Sequence, residues 1–161
     1  MTAQLGDRLL IDNVEHTIAT EPFEWYIVKQ WKQPKLRSGS TACRRGYMAT
    51  WEVKSDELWL IHIEANIAGI GKVGLCHFFP EQSAVKAVWF TGKIRIPVGE
   101  LLHYQHIGYA SEYEGDMTMN IEKGRLVSRS IRDNRSGGRD DRDWADYHPP
   151  KRHWLMRLMG R

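Results

Sequence analysis

The hydrophobic pattern of this chain is dominated by short runs with a period of two, broken by turn residues. Leu9-Leu-Ile11 and Val14–Ile18 flank Asp12-Asn13, two residues that accept positive φ, and this spacing predicts a tight β-hairpin. Phe23–Trp31 is rich in aromatic and β-branched residues, lies between Pro22 and Pro34, and reads as a third strand. Lys32–Ser40 is a loop by composition, and its positive charge continues into Arg44-Arg45.

Arg45–Val53 and Leu58–Ala65 are the clearest strand pair, with Lys54–Glu57 as the polar turn. Asn66–Gly74 reads as a glycine-rich loop, and Cys76–Ser83 has no clear period. Ala84–Ile96 is a further β-like run, with one or two helical turns as the alternative over Gln82–Val88. Pro97–Glu100 then reads as a turn and Leu101–Tyr109 as a returning strand. The last pair is Asp116–Glu122 and Arg125–Ile131 around Lys123-Gly124. The expected fold is mainly β: antiparallel hairpins forming a barrel or sandwich of roughly eight or nine strands.

From residue 135 the character changes. Residues 1–134 form the expected β-rich domain, and 135–161 a basic linker with a C-terminal amphipathic segment. Asn134–Asp143 holds two glycines and many charges, and Lys151–Met159 predicts a short helix after Pro149-Pro150. Trp154, Leu155 and Leu158 are its candidate interaction residues, for docking on the domain or for joining two copies of the chain.

Register carries the hairpin reading one step further. A two- or four-residue turn places Val53 opposite Leu58 and Trp51 opposite Leu60. Continued without a break, it sets Ala49 against His62, Tyr47 against Glu64 and Arg45 against Asn66, all on one face. Arg45, Tyr47, His62 and Glu64 then form a polar cluster beside an apolar one. Such a cluster is either a ligand site or a self-satisfied network.

Composition narrows the function classes. Of the 161 residues, 42% are hydrophobic and 27% charged, as in an ordinary globular protein. Seven Trp and six Tyr fill cores or binding surfaces. The net charge of +3 is uneven: residues 125–161 hold ten Lys/Arg against five Asp/Glu, and the remainder 13 against 15. A long nucleic acid is therefore not expected as a partner of the main domain. Two cysteines and the lack of a signal peptide or membrane span suggest a cytoplasmic protein with reduced thiols.

Candidate chemistry is thin. His62-Ile-Glu64 matches half of a zinc-deaminase signature, but the cysteine half is missing. His103 and His106 are three apart, so on a strand they point to opposite faces and share no metal. Cys43 precedes two arginines, which favours a thiolate, although a free cysteine is more often a packing residue. The glycines of Gly69–Gly74 fit no nucleotide-binding spacing. Arg44, Arg45, Lys93 and Arg95 are interleaved in sequence with Tyr47, Trp51, Trp89 and Tyr104, a pattern that suits phosphate pairing and base stacking.

Cys43–Val53, Trp89–Glu100 and His106–Tyr109 with Tyr113-Glu114 together resemble a family of small uncharacterised bacterial and phage β-rich proteins. The resemblance spans about Cys43 to Asn134. It brings no established activity or functional residues, and implies only a compact bacterial or phage protein.

Three functions remain open. The first is a non-enzymatic binding protein that recognises or sequesters a small anionic, nucleotide-like ligand, by analogy in bacterial or phage conflict. Arg44, Arg45, Tyr47, Trp51, His62, Glu64 and Arg95 are its candidate ligand-binding residues, and no cofactor is expected. The second is an immunity-type or other protein–protein interaction module. The third is a hydrolase or lyase using His62 and Glu64 as an acid–base pair.

Overall fold

The computed structural model describes residues 2–135 and the backbone of 141–143. In chain order the elements are β1 (Asp7–Ile11), β2 (Val14–Ile18), α1 (Pro22–Val28), β3 (Tyr47–Lys54), β4 (Glu57–Ile67) and β5 (Gly71–Val73). They continue as α2 (Leu75–Phe78), β6 (Val85–Lys86), β7 (Gly92–His103), β8 (Glu112–Glu122), β9 (Arg125–Asp133) and β10 (Asp141–Asp143). One mixed sheet runs in the order β2-β1-β3-β4-β9-β8-β7, with β5 and β6 against β4 and β10 against β9.

The three predicted tight turns form as expected. Asp12 and Asn13, Ser55 and Asp56, and Lys123 and Gly124 all have positive φ, which matches the right-handed twist of the flanking strands. At Gly124 the reason is also steric. A Cβ there would lie 2.8 Å from the Ala87 backbone.

Several expectations are corrected. Phe23–Trp31 does not form a strand. Pro22 starts helix α1, and Phe23 and Ile27, one helical turn apart, are buried. The aromatic content that resembled a strand instead fills the core. Phe23 packs edge-on against Tyr47 and Phe78 at 5.3 and 5.2 Å, and Tyr26 lies against Phe79 and Trp89. The sheet is not purely antiparallel either, because β1 and β3 pair in parallel, with Leu9 beside Trp51. Pro97–Glu100 is not a hairpin turn. Strand β7 passes through it to His103, with register shifts after Val98 and after Leu101. The run Ala84–Ile96 divides into the two-residue β6 and the start of β7. Asn66–Gly74 is not all loop, since Gly71–Val73 pairs with Ala65–Ile67. Within the expected linker, Asp141–Asp143 pairs with β9. The predicted helix Lys151–Met159, with Trp154, Leu155 and Leu158, lies outside the described residues.

The sheet is not closed into a barrel. Its two halves, β2-β1-β3-β4 and β9-β8-β7, meet on one side at the single pair Glu57–Arg125, flanked by Leu58 N–H to Gly124 O (2.8 Å) and Leu126 N–H to Asp56 O (2.8 Å). On the other side the Ala19 N–H donates to Arg95 O at 2.8 Å. Between the halves lies one core centred on Trp51, with Leu9, Ile18, Leu58, Leu60, Ile63, Ile94, Ile96 and Met117 fully buried. No helix among the described residues is long and apolar enough to cross a membrane.

Phe23→Ala removes the side chain that pins α1 over this core. We expect a loss of about 3–5 kcal/mol in urea unfolding, as for other buried Phe→Ala changes. A loss below about 1 kcal/mol would show that α1 is not anchored by Phe23.

Candidate functional site

The predicted polar face breaks at a β-bulge. Val53–Leu58 and Trp51–Leu60 pair as expected, but Thr50 then pairs with His62, leaving Ile61 as the extra residue. From there on the alternation of β4 is inverted relative to β3. Tyr47 lies opposite Ala65 and faces the core, whereas Glu64 lies opposite Met48. His62 and Glu64 are exposed on the outer face, and Glu64 pairs with Lys72 at 3.2 Å. The structure therefore does not bring His62 and Glu64 to Arg45 and Tyr47.

Arg45, Tyr47 and Trp51 do meet, around a residue the sequence reading passed over. Asp7, fully buried on β1, accepts hydrogen bonds from Arg45 Nη2 (2.7 Å), the Ala49 N–H (3.1 Å) and Trp51 Nε1 (3.0 Å). Arg45 Nη1 donates to Leu5 O (2.6 Å) and to the Tyr109 hydroxyl (3.1 Å), which itself donates to Glu21 (2.7 Å). The guanidinium also lies 5.1 Å from the centre of the Tyr47 ring. Burial pushes the Asp7 carboxyl up from its ordinary range, while Arg45 and the N–H donors of Trp51 and Ala49 act in the opposite direction. Burial, then the nearby carboxylates Asp7, Glu24 and Glu21, raises the Tyr47 phenol. Glu24 is raised by burial and by the charge of Glu21. The Tyr47 hydroxyl and Arg45 Nε are buried with no hydrogen-bond partner.

Arg95 is on the other half of the sheet. Its guanidinium pairs with Asp116 at 2.7 Å and donates to Tyr109 O at 2.9 Å, tying the 104–111 loop to β7 and β8. Arg45 and Arg95 are thus each matched to a carboxylate. Arg44 is exposed at a shallow hollow of about 540 Å³ that it shares with Glu21 and Glu24. Cys43 is half-buried, and its thiol donates to Tyr47 O at 3.3 Å. Among the described residues no three His, Cys, Asp or Glu are placed to hold a metal ion.

The larger opening lies where the two halves of the sheet separate. The end of β2 meets β7 where the Ala19 N–H reaches Arg95 O, and the two strands border a cleft of about 800 Å³. Its lining comes from residues 14–19 and 97–101, together with the segment before β1, the 104–111 loop and Tyr113 of β8. Tyr104, Tyr109 and Tyr113 line it, as does His16. His16 is buried, and its Nε2 has no hydrogen-bond partner. Burial lowers the His16 pKa, so the neutral imidazole is the form the fold favours. No lysine or arginine is among the described residues that line the cleft. The sequence reading missed this site. Its components come from chain segments about eighty residues apart, and no local pattern joins them.

Two outcomes are expected. Asp7→Asn leaves the buried Arg45 charge with only the half-exposed Glu21 carboxylate at 3.8 Å and should cost about 3 kcal/mol in urea unfolding. Asp7→Leu combined with Arg45→Met should cost less than the sum of the two single changes. Strict additivity would mean that the pair is not coupled. For His16 the folded pKa lies below the unfolded one, so the unfolded state binds the proton first. Stability should be fully present above about pH 6.5 and fall as the pH drops below it. His16→Leu should flatten that slope in unfolding curves taken from pH 7.5 to 5, and an unchanged slope would assign it to other groups.

No family model, curated protein or solved structure matches this chain, and the functional reading rests on the chemistry of the site itself.

Proposed function

We propose that the protein is a non-enzymatic binding protein and that its ligand occupies the cleft between β2 and β7. The observation that carries this is the cleft itself. At about 800 Å³ it falls within the size range of ligand sites, and it combines an apolar lining with a few polar groups. The unpartnered His16 Nε2 and the three tyrosines offer hydrogen bonds and flat apolar surface to an occupant.

The charge of the lining sets the ligand class. Glu15 and Glu100 are its charged members, so an uncharged or cationic, partly apolar ligand fits better than an anion. The anionic reading drew on Arg44, Arg45 and Arg95; the guanidiniums of Arg45 and Arg95 are committed to Asp7 and Asp116, and Arg44 lies at the separate hollow it shares with Glu21 and Glu24.

The test is a titration of the isotope-labelled chain followed by proton–nitrogen NMR. The probes are tyramine, tryptamine and their uncharged N-acetyl forms, with adenosine monophosphate as the anionic comparison. The amines or amides should shift the signals of residues 14–19 and 97–101. Shifts confined to the nucleotide and centred on Arg44 would overturn the cleft assignment, and so would no response to any of these small probes or to an extended peptide.

A further inference from the structure

We propose that the natural occupant of this cleft is an extended segment of a partner protein, rich in lysine or arginine beside apolar residues, which adds as a strand to the free edge of β2. This rests on the reading of the cleft as the binding site and names its partner.

The lining is the first argument. All residues from 14 to 19 and all from 97 to 101 border the cleft. Successive side chains of a strand point to opposite faces, so an unbroken run borders one cavity only when the strand is met edge-on. An edge presents backbone N–H and C=O groups.

Register shows which groups these are. Ile11 and Val14 close the two-residue turn, and the pairing continues without a shift through Leu9–His16 to Asp7–Ile18. In such a hairpin the closing pair exchanges hydrogen bonds and the next pair does not. The backbone groups of Val14, His16 and Ile18 therefore serve β1, and those of Glu15 and Thr17 face the cleft. Ala19 has the same parity, and its N–H does reach across, to Arg95 O. That bond acts as the first rung of a β2–β7 ladder that no strand pairing continues among the described residues. Tracing the sheet from β2 to β7 shows that these two strands run in opposite directions. The cleft between them has the outward backbone groups of β2 along one wall.

The walls are unequal. Pro97 has no N–H, which removes one rung from the β7 edge. The β2 edge carries no such guard at Glu15 or Thr17, so β2 supplies the ladder and β7 the opposing wall. Addition of a strand to a free edge draws its affinity from the main chain and its selectivity from the side chains it meets. Here those are tyrosines, His16 and the Glu15 carboxylate, with no lysine or arginine among the described lining residues. Glu15 has a cross-strand neighbour in Arg8 at 3.8 Å, and both side chains are largely exposed. An incoming lysine or arginine therefore competes with a loose surface pair and not with a buried one.

The experiment uses the full chain, isotope-labelled, and an acetylated and amidated hexapeptide alternating lysine and valine. Controls are the same peptide with glutamate for lysine, and with an N-methyl group on every residue. We expect the lysine peptide to move the Glu15 and Thr17 amides and slow their hydrogen exchange. The glutamate peptide should bind roughly tenfold more weakly or worse, and the N-methyl peptide should not bind. Thr17→Pro deletes an N–H that β1 does not use. It should lose peptide binding with little change in Tm, whereas Thr17→Ala keeps it.

Peptide binding that survives both N-methylation and Thr17→Pro would overturn strand addition. A response to tyramine or its acetyl form with none to any peptide would overturn it too, while leaving the cleft as a small-molecule site. Silence to every probe would remove both proposals. Glu15 and Thr17 amides that shift with protein concentration alone, or on removal of residues 144–161, would assign the edge to a second copy or to this chain's own C-terminal segment.

Discussion

The arrangement of the sheet depends on one buried ion pair. Asp7 and Arg45 lie 2.7 Å apart and are almost wholly removed from water. Neither charge is tolerable there alone, because desolvating a single ion costs far more than one hydrogen bond returns. The carboxylate also accepts the Ala49 N–H and the indole N–H of Trp51, so it links β1 to two points of β3. Parallel pairing of these strands is not imposed by a tight turn, because a hairpin, a helix and a long loop separate them. The Asp7 contacts reward that one alignment. They also hold Trp51, the centre of the core, by its only polar atom.

The same pair organises the surface next to it. Arg45 extends to Leu5 O and the Tyr109 hydroxyl, which joins the segment before β1 to the loop after β7. Arg95 holds that loop from the other side through Tyr109 O, while its own backbone meets Ala19 and Thr20 at the end of β2. The mouth of the cleft is thus fastened by two arginines, each neutralised by a carboxylate. Fixed in this way, β2 and β7 meet at Ala19 and Arg95 and border the cleft along residues 14–19 and 97–101.

What was legible in the chain was whatever local chemistry decides. Asp12-Asn13, Ser55-Asp56 and Lys123-Gly124 form tight turns because few residues accept positive φ, and that preference shows in any two-residue window. Helix α1 was misread because Phe, Trp, Tyr, Ile and Val favour strands on average. Here burial of Phe23 and Ile27 on one helical face, after Pro22, outweighs that preference. The register of β3 and β4 was legible as far as Trp51–Leu60. The bulge at Ile61 lies beyond any pattern, since one unpaired residue moves His62 and Glu64 to the other face without changing the hydrophobic count.

By itself, then, the sequence determined the mainly β character, the tight turns and the apolar strand faces, because period and turn chemistry act over a few residues. Only the tertiary structure decided that β1 lies parallel to β3, that Arg45 is buried against Asp7, and that the sheet stays open between β2 and β7. Each of these depends on groups some forty to eighty positions apart, whose mutual burial fixes a charge pair or leaves an edge unpaired. No window along the chain contains both partners.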